Sequence, residues 1–379
     1  MTSVNDQKFH LSGDPAIRLD EPQLGSVIDS VNNKSIQSVI QINALGEAKI
    51  KGSVRNADGS KSLFAGSVDL SVFDSNKLLS FPPTEFMGNY VVTMPGGLIY
   101  RGKSNVTNGE FLTDFIVPKD ISYENKNGKI ISYVSNNSDD GVGYTTNITV
   151  GGTNPNAIND GKGPDISIYF DNINFTDSYL VNPNFSLIIK LADQTGINTT
   201  GTGIGHKLEG ILNDDEANAI DFTNYFTGDA NSGGKSGTVQ YPFTNMQPGN
   251  YKIKVQAWDV FNNLSSKEVT FKVVQQNNGI VISDIYNYPN PFSSRTTFTF
   301  QHNFSDPINV RIKIYTVAGR LIKQIEESNI LERFVKIDWN GRDEDNNQIA
   351  NGTYLYKLIV ESSDGNFNNT ALGKIAIIR

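Results

Sequence analysis

The chain of 379 residues contains no cysteine. That excludes disulfides, thiolate metal sites and a cysteine nucleophile within it. Histidine is nearly as scarce. His10, His206 and His302 stand far apart, which argues against a histidine-rich metal site. Charged residues make up only 19% and the net charge is −8, without the basic balance of a nucleic-acid binder. Apolar residues, 37% of the total, form no run of membrane-spanning length. Residues 1–10 are polar and lack the apolar core of a signal peptide, so any export address is expected elsewhere.

What is abundant points to turns and strands. Asparagine occurs 44 times and glycine 34 times, which favours turns over long helices. The apolar material, with 21 Phe and 15 Tyr set among Val, Ile and Thr, is of the strand-forming kind. Period-two alternation recurs, most clearly in Tyr251-Lys252-Ile253-Lys254-Val255-Gln256-Ala257 and in Val310-Arg311-Ile312-Lys313-Ile314-Tyr315. Short strands with Asn/Gly/Asp/Ser clusters between them read as β-sandwiches, and the single helical stretch, 214–219, is short. The expected fold is all-β, with three tandem Ig-like β-sandwich modules. Linker composition places them at about 34–152, 163–275 and 280–379, after a connector over 1–33, and each is expected to unfold separately. Gly109-Glu110-Phe111, Gly249-Asn250-Tyr251 and Gly352-Thr353-Tyr354 share a pattern, a glycine turn followed by an aromatic entering the core.

Catalytic chemistry is hard to find. Thr200-Gly201-Thr202-Gly203-Ile204-Gly205-His206 has the glycines of a phosphate loop, but no helical pattern follows. A turn inside a sandwich is the preferred reading. Asp343, Asp345 and Asn347 offer oxygens at alternate positions, as calcium loops do. Gln348 and Tyr354 then stand where the helix-loop version needs Gly and Glu, so that version fails and a hairpin turn is preferred to calcium binding. Residues 138–141 and 213–216 pose the same choice. No catalytic residue and no other cofactor is assigned.

Longer motifs narrow the reading. Tyr288-Pro289-Asn290-Pro291-Phe292 resembles the opening of the C-terminal domain carried by proteins of the type IX secretion system of Bacteroidota. Ile312 to Arg320, with its Gly319-Arg320 turn, resembles the central strand of that domain. Trp339-Asn340-Gly341-Arg342-Asp343 and Asn351-Gly352-Thr353-Tyr354 resemble its later hairpin, also seen in hook-cap-like Ig domains. Gly373-Lys374-Ile375-Ala376-Ile377-Ile378-Arg379 resembles its last strand. Upstream, Phe9-His10-Leu11-Ser12-Gly13-Asp14-Pro15-Ala16 resembles the end of a gingipain-type peptidase domain. Tyr100-Arg101-Gly102, Phe115 to Ile121, Gly196 to His206 and Trp258 to Ser265 resemble the modules that follow it in type IX sortases of the PorU type.

The resemblance implies a non-catalytic anchoring and docking region at the outer-membrane surface. The cysteine peptidase activity of such a sortase would belong to a domain absent from this sequence. Implied partners are a PorV-like outer-membrane barrel and other subunits of the sortase complex, the chain itself not being transmembrane. The residues implied for docking are Tyr288, Pro289, Gly319, Arg320, Lys374, Ile375 and Ile377. The alternative reading is a free-standing type IX cargo, an adhesin or glycan-binding protein.

Overall fold

A computed structural model describes residues 22–83, 88–173, 179–200, 206–274 and 279–379. The chain is all-β, and the helical content of the described residues is two single 3-10 turns, Glu216–Asn218 and Thr223–Tyr225. The first coincides with the short helical stretch read from sequence. Two compact units are formed: one ends at Val117 and resumes over Ile121–Ala157, and the other comprises Pro118–Asp120 and Ile158–Arg379.

In the first unit, alternation in Gly66–Phe73 turns Val68, Leu70 and Val72 inward, against Ile130, Val134, Ile148 and Val150. The sheet differs from an open sandwich because it closes. Leu24–Val31, Glu47–Arg55, Glu110–Ile116, Leu98–Thr107, Gly66–Phe73, Lys126–Ser135 and Asp140–Thr153 neighbour one another in that order. The last then pairs in parallel with the first through Leu24↔Gly141 and Gly25↔Val142, making a seven-stranded ring. Closure needs a glycine: a Cβ on Gly143 would lie 1.6 Å from the carbonyl oxygen of Ser26. A separate hairpin, Lys77–Phe81 with Tyr90–Met94, stands exposed.

The second unit holds two sandwiches. In the first of them, Asp165–Phe170, Phe185–Ala192, Ser236–Phe243 and Phe226–Gly228 form one sheet. Leu180–Val181, Leu264–Val273, Gly249–Trp258, Glu209–Leu212 and Ile220–Asp221 form the other. Phe170, Leu187, Ile189, Val239, Ile253 and Phe271 fill the space between them. The C-terminal sandwich sets Ile282–Tyr288, Thr296–His302 and Phe334–Trp339 against Leu321–Ile330, Ile308–Thr316, Gly352–Ser362 and Asn368–Ile377. Its core includes Phe298, Phe300, Ile312, Trp339 and Leu358.

The two sandwiches of this unit are joined by buried polar contacts. Arg333, in the turn before Phe334–Trp339, is fully buried, and its guanidinium donates to Asp171 Oδ2 at 2.8 Å. It also reaches the Leu180 carbonyl at 3.3 Å and Ser305 Oγ at 3.1 Å. Asn303 Nδ2 donates to Asn182 Oδ1 at 2.8 Å, and Asn182 returns a bond to the Asn303 carbonyl. Sequence composition suggests independent modules here, but a buried charge pair and reciprocal amides tie them together.

Candidate functional site

The residues expected to dock a partner lie in the C-terminal sandwich. Tyr288 ends its strand 74% exposed, and the Tyr288–Pro289 and Asn290–Pro291 peptide bonds are cis. The motif that follows covers the edge of the last strand. Asn290 Oδ1 accepts the Ala376 N–H at 2.9 Å, and its Nδ2 donates to the Lys374 carbonyl at 3.1 Å. Phe292 N–H then donates to the Ala376 carbonyl, and Ile378 N–H to the Phe292 carbonyl. One asparagine side chain and one backbone turn thus supply the pairing that an edge strand otherwise leaves open. The residue that follows Tyr288 and Pro289 in this motif, Asn290, thus meets the Lys374 backbone.

Gly319 and Arg320 stand apart from them. They form an exposed turn in which Gly319, at φ +87°, donates to the Thr316 carbonyl and Arg320 N–H meets Thr316 Oγ1. The turn joins Ile308–Thr316 to Leu321–Ile330, the far edge of the sheet from Asn368–Ile377. Three strand spacings separate the two edges, roughly 15 Å. Ile375 and Ile377 require a correction. Each is 1% exposed and belongs to the core, because alternation along Asn368–Ile377 turns both inward. As core residues they are not available to touch a partner.

The calcium candidates form a closed hairpin turn. Asp343 Oδ1 accepts the Asn347 N–H at 2.8 Å, and the Asp343 N–H donates to the Asn347 carbonyl at 3.0 Å. Asp345 is exposed. Among the described residues, no three or more His, Cys, Asp or Glu side chains are grouped to hold a metal.

A second constellation, within the other sandwich of this unit, gathers three of the segments quoted for the resemblance. His206 Nδ1 lies 2.7 Å from Asp120 Oδ2, and its ring lies 4.5 Å from that of Trp258. Asn198 Nδ2 donates to Asp120 Oδ2 at 3.1 Å, and Asn262 Nδ2 to Asp120 Oδ1 at 2.8 Å. Beside them Asp259 is fully buried, and burial pushes its carboxyl above the usual carboxylate range. Hydrogen bonds from Asn263 and from the Phe261 N–H pull the other way. Asp259 is legible as a turn former. The Asp120–His206 pair joins residues 86 positions apart, which no local pattern signals. Its chemistry is that of a satisfied polar cross-link: the carboxylate holds two amides and one imidazole nitrogen.

A family model described as the FlgD Ig-like domain matches residues 287–365, the greater part of the C-terminal sandwich. No curated protein matches the chain. Among solved structures, dimeric latent PorU from Porphyromonas gingivalis is 27% identical, with a TM-score of 0.43. That alignment covers 97% of this chain and 35% of the other, so the chain spans about a third of the protein it matches. Alpha-2-macroglobulin of Escherichia coli is 10% identical over 93% of this chain and 32% of its own, with a TM-score of 0.21. A Bacteroides ovatus protein, SGBP-B of a mixed-linkage glucan utilization locus, solved with a heptasaccharide, is 12% identical. The coverage is 96% of this chain and 71% of that one, and the TM-score is 0.23.

Proposed function

We propose that this chain is the non-catalytic, surface-anchoring region of a type IX secretion sortase of the PorU type. Its C-terminal sandwich docks on an outer-membrane barrel of the PorV type and holds a peptidase domain at the cell surface. The observation that carries the reading is the Tyr288–Phe292 motif laid along the terminal strand. A sequence signature resembling a sorting domain is used structurally, and Tyr288, Pro289 and Lys374 are exposed in and beside it. The match of 287–365 to an Ig-like domain supports the same assignment of that module.

The test is capture of the full chain by the detergent-solubilised barrel. Tyr288→Ala combined with Lys374→Glu should weaken capture at least about tenfold, the size expected when an aromatic anchor is lost from an interface. Circular dichroism should stay unchanged. Arg320→Glu, on the opposite edge, should weaken it less. Undiminished capture of the folded double variant would place docking elsewhere in the chain. A second expectation concerns chemistry. The purified chain should not turn over sorting-signal peptides, and thiol alkylation should change nothing, because it has no acyl-enzyme nucleophile of the cysteine kind.

A further inference from the structure

We infer that the first unit carries a saccharide-binding cleft on the outer face of its closed sheet. The cleft measures about 420 Å³. It opens where two irregularities of the sheet fall on adjacent strands. One register shift lies between Val72 and Phe73, the other between Gly128 and Ile130. Such bulges re-aim side chains and interrupt the surface of a sheet. Two glycines let the backbone segments around the cleft approach closely. A Cβ on Gly96 would lie 1.9 Å from the Asp74 carbonyl oxygen, and one on Gly128 would lie 2.6 Å from that of Phe73.

The lining has the composition that a sugar ring requires. Three neighbouring strands present Phe73, Lys129 and Tyr144 outward, with Lys129 Nζ 5.8 Å from the centre of the Phe73 ring. Tyr144 is 73% exposed, an aromatic face open to the C–H face of a pyranose. Asn76 and Asn127 add amides that both donate and accept, matching hydroxyl groups that do the same. Asp74 is buried, and its two oxygens accept the N–H groups of Ser75 at 2.6 Å and Ser122 at 2.5 Å. With one ammonium and one carboxylate in the lining, the cleft favours neither an anion such as phosphate nor a free cation. Its mixed donors and acceptors beside aromatic rings suit a neutral, hydroxyl-rich ring of one or two units.

The cleft lies in the first unit, so this inference stands or falls separately from docking by the C-terminal sandwich. The experiment is saturation-transfer NMR and calorimetric titration of the full chain with a fixed panel. The panel holds glucose, galactose, mannose, rhamnose, fucose and N-acetylglucosamine, with their common disaccharides. At least one should bind with a Kd in the roughly millimolar range or tighter, as open clefts bind small ligands. Tyr144→Ala and Asn127→Ala should each weaken that binding, the former by about tenfold, with melting temperature unchanged. Lys374→Glu should leave it unaltered. No response from any panel member, or binding indifferent to both cleft substitutions, would overturn the inference.

Discussion

Ten of the fourteen non-glycine residues at positive φ among the described residues are asparagine, from Asn32 and Asn33 to Asn346. The asparagine excess is therefore conformational: its short amide tolerates the left-handed region that closes tight hairpins. The glycine-then-aromatic pattern also acquires a mechanism at this scale. Tyr251 Oη donates to the Gln247 carbonyl and Tyr354 Oη to the Ala350 carbonyl, each at 2.8 Å and four residues back. That is the tyrosine corner of Ig-like sandwiches. Phe111, which has no hydroxyl, keeps only the buried ring. Tyr354→Phe should therefore cost about 1 kcal/mol in denaturant unfolding, whereas an effect near zero would mean that water replaces the bond. His302 offers a pH test. Burial holds its pKa down at about 4, opposed by the bond to the Glu332 carbonyl and reinforced by neighbouring Arg333. A folded value below the unfolded 6.5 means that the unfolded chain binds the proton first. Stability is thus fully present above pH 6.5 and falls as pH drops toward 4, by about 3 kcal/mol at about 1.4 kcal/mol per unit. The imidazole resonance should titrate near 4, and a midpoint at 6 or above would contradict a buried neutral ring.

Strands were the most legible elements, because period-two alternation is written locally. Val310 to Tyr315 lies in Ile308–Thr316, and Tyr251 to Ala257 lies in Gly249–Trp258. Which strands meet was not legible. Leu24–Val31 and Asp140–Thr153 pair in parallel at Leu24↔Gly141, and nothing in either segment names the other. The same limit explains Ile375 and Ile377: an apolar terminal strand reads alike whether a partner or its own sandwich covers it. The site residues split along this line as well. The turn at Gly319 and Arg320 was local and visible, while the contact of Asn290 with Lys374 spans 84 residues. Closure of the first unit yields a prediction at this scale. Gly143→Ala should destabilise that unit by more than about 2 kcal/mol, since Ser26 backbone must move to admit the methyl group. Gly25→Ala is a control on the same seam, with nothing nearer than 3.8 Å, and should change stability by less than about 0.5 kcal/mol. Equal effects would mean that the seam opens freely.

The whole molecule is expected to unfold as two cooperative units, because its second unit is locked by a charge that cannot be left unpaired. Arg333 is fully buried, while the Asp171 side chain opposite keeps 22% of its exposure. Asp171 is held in place by its own strand end, where Oδ1 accepts the Ser186 N–H at 2.9 Å. Removing either partner breaks the pair, but the consequences differ. Asp171→Ala takes a carboxylate away from a buried guanidinium that also meets the neutral Leu180 and Phe304 carbonyls and Ser305 Oγ. Arg333→Met leaves a carboxylate that water can still reach. Stranding a buried charge costs about 3–5 kcal/mol, and an apolar replacement of the arginine should cost less. Calorimetry of the full chain should show one transition covering both sandwiches of the second unit. Asp171→Ala should lower it more than Arg333→Met, and either should tend to split it in two. Splitting is the specific sign of a lost junction, since damage confined to one sandwich would shift a single transition and leave it whole. Three separate transitions in the unaltered chain, indifferent to both substitutions, would mean that the buried pair does not couple the sandwiches.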